Sequence, residues 1–161
     1  LRLVKEYLPR AVRDGTDIEA RAQMMSAAAM GATAFQKGLG AIHSLSHPVG
    51  AVFDTHHGLT NAVAMPYVVK FNRAAIEDKV VRLARWLDLR TPTFDGFMQW
   101  TLDLRREIGI PHTLAELGVK EGHLDKFAEM AAVDPTAGGN PVKAGVPEMR
   151  KMYEAALAGR L

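Results

Sequence analysis

The sequence predicts an all-α fold, a bundle of about eight helices with no sheet. Apolar residues recur at three- and four-residue spacing along nearly the whole chain. No segment alternates apolar and polar residues, with β-branched enrichment, over five or more positions. The nearest exception, "VAMPYVVKF", contains Pro66, and its flanking pattern favours a helix. At 161 residues the chain is expected to form one domain.

Capping signals place the first two helices. The first is predicted over residues 1–13, where Gly15 suits a C-terminal cap. The second is predicted over residues 17–35, because Thr16 and Glu19 have the spacing of a capping box.

Six further helices are predicted. Their ranges are 41–53, 57–71, 79–87, 93–109, 121–133 and 146–161. Asp54 and Thr55 are expected to cap the helix that begins near His57, and Thr93 the one that ends at Gly109. The Gly- and Pro-rich stretch "DPTAGGNPVKAG" is predicted to be a loop.

Composition excludes several classes of protein. The net charge is only +2 and the basic residues are scattered among acids, which argues against nucleic-acid binding. There are no cysteines, so disulfides and thiolate zinc sites are excluded and a cytoplasmic location is expected. No run reaches the ~20 apolar residues of a membrane span. The chain begins inside a helical pattern, so we expect it to be part of a longer protein.

Four of the six histidines lie within "GLGAIHSLSHPVGAVFDTHHGLTNA", at positions 43, 47, 56 and 57. His43 and His47 are four residues apart, which places both imidazoles on one helical face. A turn after that helix can bring His57 back toward His43. Imidazole is the commonest metal ligand and the usual acid or base near neutral pH. The same spacing also occurs where histidines simply face solvent.

Two histidines do not complete a metal site, which needs about three protein ligands. No Asp or Glu in the chain has a histidine four residues later. "GLGAIH" matches a dinucleotide fingerprint poorly, because His43 replaces its third glycine and no strand precedes it. His112 and His123 are single histidines near loops and are expected to be structural.

The longer stretch "GLGAIHSLSHPVGAVFDTHHGLTNAVAMP" closely resembles the signature of iron-containing (group III) alcohol dehydrogenases. "AAVDP" and "GGNPV" are similar to the C-terminal part of the same family. The resemblance implies that residues 1–161 form the C-terminal helical metal domain, like the α domain of dehydroquinate synthase-like proteins. An N-terminal nucleotide-binding domain would then be absent from this chain.

The resemblance also implies roles for individual residues. His43 and His57 would ligate the metal, and His47 would lie beside the nicotinamide and take part in proton transfer. The two remaining ligands, in a D-x-x-x-H pattern, would lie upstream of Leu1, so the isolated chain is expected to be inactive. His56, where relatives often carry another residue, is expected to be a spectator.

The implied activity is a metal-dependent, NAD(P)-linked interconversion of an alcohol with an aldehyde or ketone. The implied metal is Fe(II), with zinc as the alternative, and a homodimer is expected. The substrate, and the choice between NAD and NADP, stay open. A zinc-dependent polyol dehydrogenase or semialdehyde reductase of the same superfamily is one alternative. A non-catalytic helical interaction module is the other.

Overall fold

The computed structural model describes residues 1–161 as eight α-helices, four short 3₁₀ helices and no β-strand. The α-helices are α1 Arg2–Arg13, α2 Ile18–Ala34, α3 Ala41–Phe53, α4 His57–Phe71, α5 Arg73–Trp86, α6 Phe94–Glu107, α7 Leu124–Ala132 and α8 Val146–Ala158. The 3₁₀ helices are Phe35–Lys37, Ala115–Leu117, Glu121–His123 and Pro135–Gly139. The predicted all-α fold is confirmed. None of these helices combines the length and apolar character needed to cross a membrane.

The chain divides into two compact units. The first comprises Leu1–Gly38 and Asp78–Gly109. In it α1 packs against α2 and, less extensively, against α6. Arg10 of α1 forms ion pairs with Asp17 and Glu19, which hold the two helices together at the turn. The buried residues of this unit are Ala20, Val80, Ala84, Leu87, Phe94, Met98, Thr101 and Arg105.

The second unit comprises Leu39–Glu77 and Ile110–Leu161 and contains the larger core. Here α3 packs against α4 and α7, while α8 packs against α7 and α4. The largest buried apolar side chains include Leu45, Val49, Val63, Leu114, Leu124, Phe127, Met149 and Tyr153. The buried Tyr153 hydroxyl donates a 2.7 Å hydrogen bond to the Leu45 carbonyl, which ties α8 to α3. Burial raises the pKa of that hydroxyl, so it remains a donor.

Two predicted details of the connection between α1 and α2 are wrong. Asp17, and not Thr16, caps α2, since its side chain accepts from the Ala20 amide. Thr16 instead donates to the Asp14 carboxylate through both its amide and its hydroxyl. Gly15 does not provide a left-handed cap, because α1 ends on Asp14 in an extended conformation. The carboxylates of Asp14 and Asp17 therefore accept from the Thr16 and Ala20 groups, and the predicted capping box does not form.

Other boundaries were predicted more closely. The Thr93 cap is confirmed, since its hydroxyl accepts from the Gly96 amide at 3.0 Å. The fifth helix begins at Arg73, earlier than predicted, and an (i, i+4) ion pair with Glu77 supports its first turn. The predicted loop after α7 contains a 3₁₀ helix over Pro135–Gly139, capped by Asp134.

Two adjacent glycines in this 3₁₀ helix provide a matched stability test. A Cβ at Gly139 would overlap the Leu39 carbonyl oxygen, whereas a Cβ at Gly138 meets nothing within 4 Å. We therefore expect Gly139→Ala to destabilise the protein by ~1–3 kcal/mol, as other overpacked sites do. Gly138→Ala should leave the midpoint of urea unfolding nearly unchanged. Equal midpoints for the two variants would contradict the packing of this loop against the start of α3.

Candidate functional site

Three histidine rings meet between α3 and the start of α4. His43 and His47 project from α3, and His57 is the first residue of α4. The ring centroids are 5.8 Å apart for His43 and His47, 5.1 Å for His43 and His57, and 5.5 Å for His47 and His57. The rings of His47 and His57 are nearly parallel, at an interplanar angle of 19°. The structure thus brings together the three histidines singled out in the sequence.

The turn between α3 and α4 brings His57 to this position. Asp54 ends α3 in the left-handed conformation, with φ of 51°. His56 then caps α4, because its Nδ1 accepts from the Leu59 amide at 3.3 Å. The prediction that Asp54 and Thr55 cap α4 is therefore wrong. The Thr55 hydroxyl instead forms a 2.7 Å hydrogen bond with the Thr60 hydroxyl.

Asn61 of α4 lies between two of the three imidazoles. Its Nδ2 is 3.3 Å from Nε2 of His43 and 3.0 Å from Nε2 of His57. An amide nitrogen donates, so in this arrangement each Nε2 presents a lone pair and both lone pairs face one point. Asn61 Oδ1 is buried without a hydrogen-bond partner. A buried amide oxygen left unpaired costs ~1–3 kcal/mol.

These donors fit part of a metal site. Two imidazole nitrogens that face one point are suitable ligands for Fe(II) or zinc. No group of three or more His, Cys, Asp or Glu side chains in this chain is placed to hold an ion. His43 and His57 therefore offer two nitrogen donors, and no third His, Cys, Asp or Glu side chain joins them in a group that could hold an ion.

The environment of His43 favours its neutral form. Burial lowers the pKa of this imidazole, and the charges of His57 and His47 lower it further, against a weaker opposing effect of Asp134. Metal ligation requires an unprotonated nitrogen. The pKa shift therefore favours the form of His43 that can bind a cation.

His47 has a carboxylate partner that the sequence analysis missed. Its Nδ1 is 2.8 Å from Oδ2 of Asp134, 87 residues away in the chain. The other carboxylate oxygen accepts from the amide and the hydroxyl of Thr136, at 2.8 and 2.6 Å. Burial alone would raise the pKa of Asp134, but the hydrogen bonds from Thr136 and His47 outweigh it and the pKa lies below its ordinary value.

The last two histidines lie apart from the cluster. His112 Nε2 is 3.2 Å from the Gly159 carbonyl oxygen, beyond the end of α8. His123 Nδ1 accepts from the Lys120 amide at 3.0 Å, and its ring stacks on Phe127. Both side chains therefore stabilise local structure.

The lowered pKa of Asp134 predicts a pH-dependent stability difference. The folded state favours the ionised carboxylate, so this group stabilises the protein above the ordinary Asp pKa of about 3.9. The stabilisation is lost as the pH falls through the lower folded-state value. We expect Asp134→Asn to lower the free energy of unfolding more at about pH 5 than at about pH 3. Urea unfolding of both proteins at each pH measures the difference.

Asp125→Asn is the control for this measurement. The Asp125 side chain is 83% exposed in its ion pair with Arg150, and pairs with so exposed a carboxylate contribute only ~0–1 kcal/mol. A destabilisation by Asp134→Asn that stays constant between the two pH values would contradict the assigned pKa shift.

Residues 1–157 match the model of the C-terminal part of the Fe-containing alcohol dehydrogenase family. The chain belongs to the iron-containing alcohol dehydrogenase family. The match confirms the family that the histidine-containing sequence signature indicated.

The chain can be compared with individual proteins of this family by sequence identity and by the share of each protein that it covers. The chain is 41% identical over 160 residues to the 4-hydroxybutyrate dehydrogenase of Cupriavidus necator, covering 94% of this chain and 41% of that protein. It is 37% identical over 164 residues to the NAD-dependent methanol dehydrogenase of Bacillus methanolicus, covering 98% and 43%. A crystal structure of a 1,3-propanediol oxidoreductase superposes with a TM-score of 0.92 at 32% identity, covering 97% and 43%. The chain thus spans less than half the length of each of these relatives.

Proposed function

We propose that this chain is the helical, metal-binding part of a longer NAD- or NADP-dependent dehydrogenase that interconverts a small alcohol and its aldehyde or ketone. The observation that carries the proposal is the convergence of His43 Nε2 and His57 Nε2 on Asn61, with His47 beside them. Family membership supports it, because the relatives described above are named as dehydrogenases or oxidoreductases of hydroxy acids, alcohols and diols.

In this proposal His43 and His57 hold a divalent ion, Fe(II) or zinc, together with ligands from a part of the protein beyond these residues. When bound, the ion acts as a Lewis acid toward the alcohol or carbonyl oxygen. The contribution of this chain is to hold two imidazole nitrogens at a fixed separation. The α3–α4 packing fixes that separation before an ion arrives, since both ring positions belong to packed helices.

His47 has a different proposed role. Its Nδ1 is already engaged by Asp134, so its proton transfers would take place at Nε2. The side chain is 39% exposed, which leaves it accessible to a substrate or to the nicotinamide. His47 is therefore placed to exchange a proton with the reacting alcohol, while its stacking on His57 fixes the plane of the ring.

The test of this proposal is His47→Ala in the full-length protein that carries this chain. Loss of a general acid or base reduces turnover by about 10²- to 10⁴-fold. We expect kcat for alcohol oxidation to fall within that range, while bound iron or zinc stays near the wild-type stoichiometry. His56→Asn is the control, because His56 uses its Nδ1 to cap α4 and asparagine also caps helices. Loss of the metal from His47→Ala would show that the roles are assigned wrongly.

The same preparation tests the alternative function. A non-catalytic helical interaction module would show no NAD- or NADP-linked turnover with any short-chain alcohol or diol. A cytoplasmic location and a homodimeric assembly remain predictions. Fractionation of the source cells and sedimentation of the full-length protein would check them.

A further inference from the structure

A chain of hydrogen bonds extends from His47 into the loop that follows α7. The Asp134 side chain is 13% exposed and accepts from three donors: His47 Nδ1 and both the amide and the hydroxyl of Thr136. The Thr136 hydroxyl is also 3.0 Å from the Ser44 hydroxyl on α3. An ionised carboxylate only accepts, so the Thr136 hydroxyl donates to Asp134, and its oxygen can then accept from Ser44. The orientation of Asp134 is thus set by several bonds that do not involve His47.

We infer that Asp134 is a positioning residue for His47, whose carboxylate holds the imidazole with its proton on Nδ1 and with Nε2 available to the substrate. The inference rests on the proposed function, because it deepens the role given there to His47. A neutral imidazole has one N–H, and the hydrogen bond of one nitrogen decides which tautomer is present. Since the Asp134 carboxylate cannot donate, a short contact to Nδ1 requires the proton to be on Nδ1.

This arrangement also has a consequence for the ring during turnover. When Nε2 accepts a proton, the imidazolium that forms stays next to the Asp134 carboxylate, which stabilises its charge. The 3₁₀ helix that Asp134 caps and the Ser44–Thr136 contact hold the loop against α3, so the bond does not depend on His47 alone. Asp134 bonds Nδ1 of His47, whereas Nε2 of His43 and Nε2 of His57 both contact Asn61. Removal of the Asp134 carboxylate should therefore affect turnover and not metal binding.

The experiment compares wild type, Asp134→Asn and Asp125→Asn in the full-length protein loaded with zinc. Partners that orient a metal-bound histidine contribute about 10- to 100-fold in activity or affinity, and we expect an effect of the same order for the orientation of His47. We expect Asp134→Asn to lower kcat by about 10- to 100-fold. The KM for the alcohol and the bound zinc should be nearly unchanged. Asp125→Asn should match wild type, because Asp125 is an exposed residue paired with Arg150.

A second readout reports the tautomer directly. Two-bond ¹H–¹⁵N correlation spectra of histidine-labelled, zinc-loaded protein show which ring nitrogen carries the proton, and the His47 signals are identified by their absence in His47→Ala. We expect protonated Nδ1 in wild type and an increased population with protonated Nε2 in Asp134→Asn. An unchanged tautomer in the variant would overturn the inference, whether or not kcat falls. A changed tautomer with unchanged kcat would overturn it equally.

A milder pair of variants is available if Asp134→Asn does not fold. Thr136→Val removes the hydroxyl donor to Asp134 and should lower kcat by a smaller factor, and Thr136→Ser should restore it. No recovery in Thr136→Ser would overturn the inference. Failure of the proposed function looks different: wild type would show no turnover, or His47→Ala would retain full kcat, whereas the tautomer spectra would still report on the Asp134–His47 bond.

Discussion

Replacing either His43 or His57 with alanine in the full-length protein is expected to remove the bound metal and the activity together. Each variant deletes one of the two nitrogens that face the common point beside Asn61. Losing a protein ligand leaves an ion with too few donors, so it dissociates at ordinary concentrations. Metal analysis after gel filtration and an alcohol-oxidation assay provide the two measurements. Activity is expected to fall by at least about 10³-fold, because electrostatic stabilisation by such an ion is among the largest contributions to catalysis.

His56→Asn serves as the control for these two variants. His56 is the direct neighbour of His57 but uses its Nδ1 to cap α4. Asparagine preserves a capping oxygen, so metal and activity should both be retained. A His57→Ala protein that keeps its metal and its turnover would contradict the assignment of His57, and the same outcome for His43→Ala would contradict that of His43.

The fold could be predicted because the signals for each helix lie within that helix or within a few residues of its ends. Helical periodicity, together with Gly and Pro residues that end helices, suffices to place eight helices in order. The errors occur where two local options compete, as at Thr16 and Asp17. Either residue can cap a helix, and the choice depends on Asp14 and on Arg10, which lie in the preceding turn and helix. Sequence spacing alone does not rank such neighbouring bonds.

The convergence of the three histidines could be predicted only in part. The spacing of His43 and His47 places both rings on one face of α3, and the short turn places His57 at the start of α4. Their roles came from the family signature and not from spacing. Asp134 could not be linked to His47, because 87 residues separate them and only tertiary packing of the loop after α7 brings them together. The Asp-Pro-Thr motif does indicate a capped turn, which is the one local signal that marked the residue.

Asn61 lies at the point that the nitrogens of His43 and His57 both face. Its amide nitrogen lies where two imidazole lone pairs meet, and its oxygen is buried without a partner. The amide thus stabilises the paired orientation of His43 and His57, although it carries no charge with which to complete a cation site. The geometry of the two rings is consequently present in the chain itself, whereas no carboxylate joins them in a group of three ligands.

The polypeptide of residues 1–161, purified alone, is therefore expected to hold little metal and to show no alcohol oxidation with NAD or NADP. Complete four-ligand zinc sites supply ~10–16 kcal/mol in small folding peptides, and two neutral imidazoles supply only part of that. Circular dichroism first establishes that the helices are present. Bound iron and zinc are then measured after equilibration with each ion, and turnover is assayed with short-chain alcohols. Stoichiometric metal together with turnover would show that this chain carries a complete site and that the ligand set is wrong.

Asn61→Asp is the matched variant for that measurement. It places a carboxylate oxygen where the amide nitrogen now lies, 3.0 Å from Nε2 of His57 and 3.3 Å from Nε2 of His43. A third ligand with negative charge supplies what two neutral imidazoles lack, so zinc affinity of the isolated chain should rise by at least about tenfold. His43→Ala in the Asn61→Asp background should abolish the gain. If Asn61→Asp binds zinc no better than the unmodified chain, the two imidazoles do not face a common cation position, and the metal assignment of His43 and His57 is wrong.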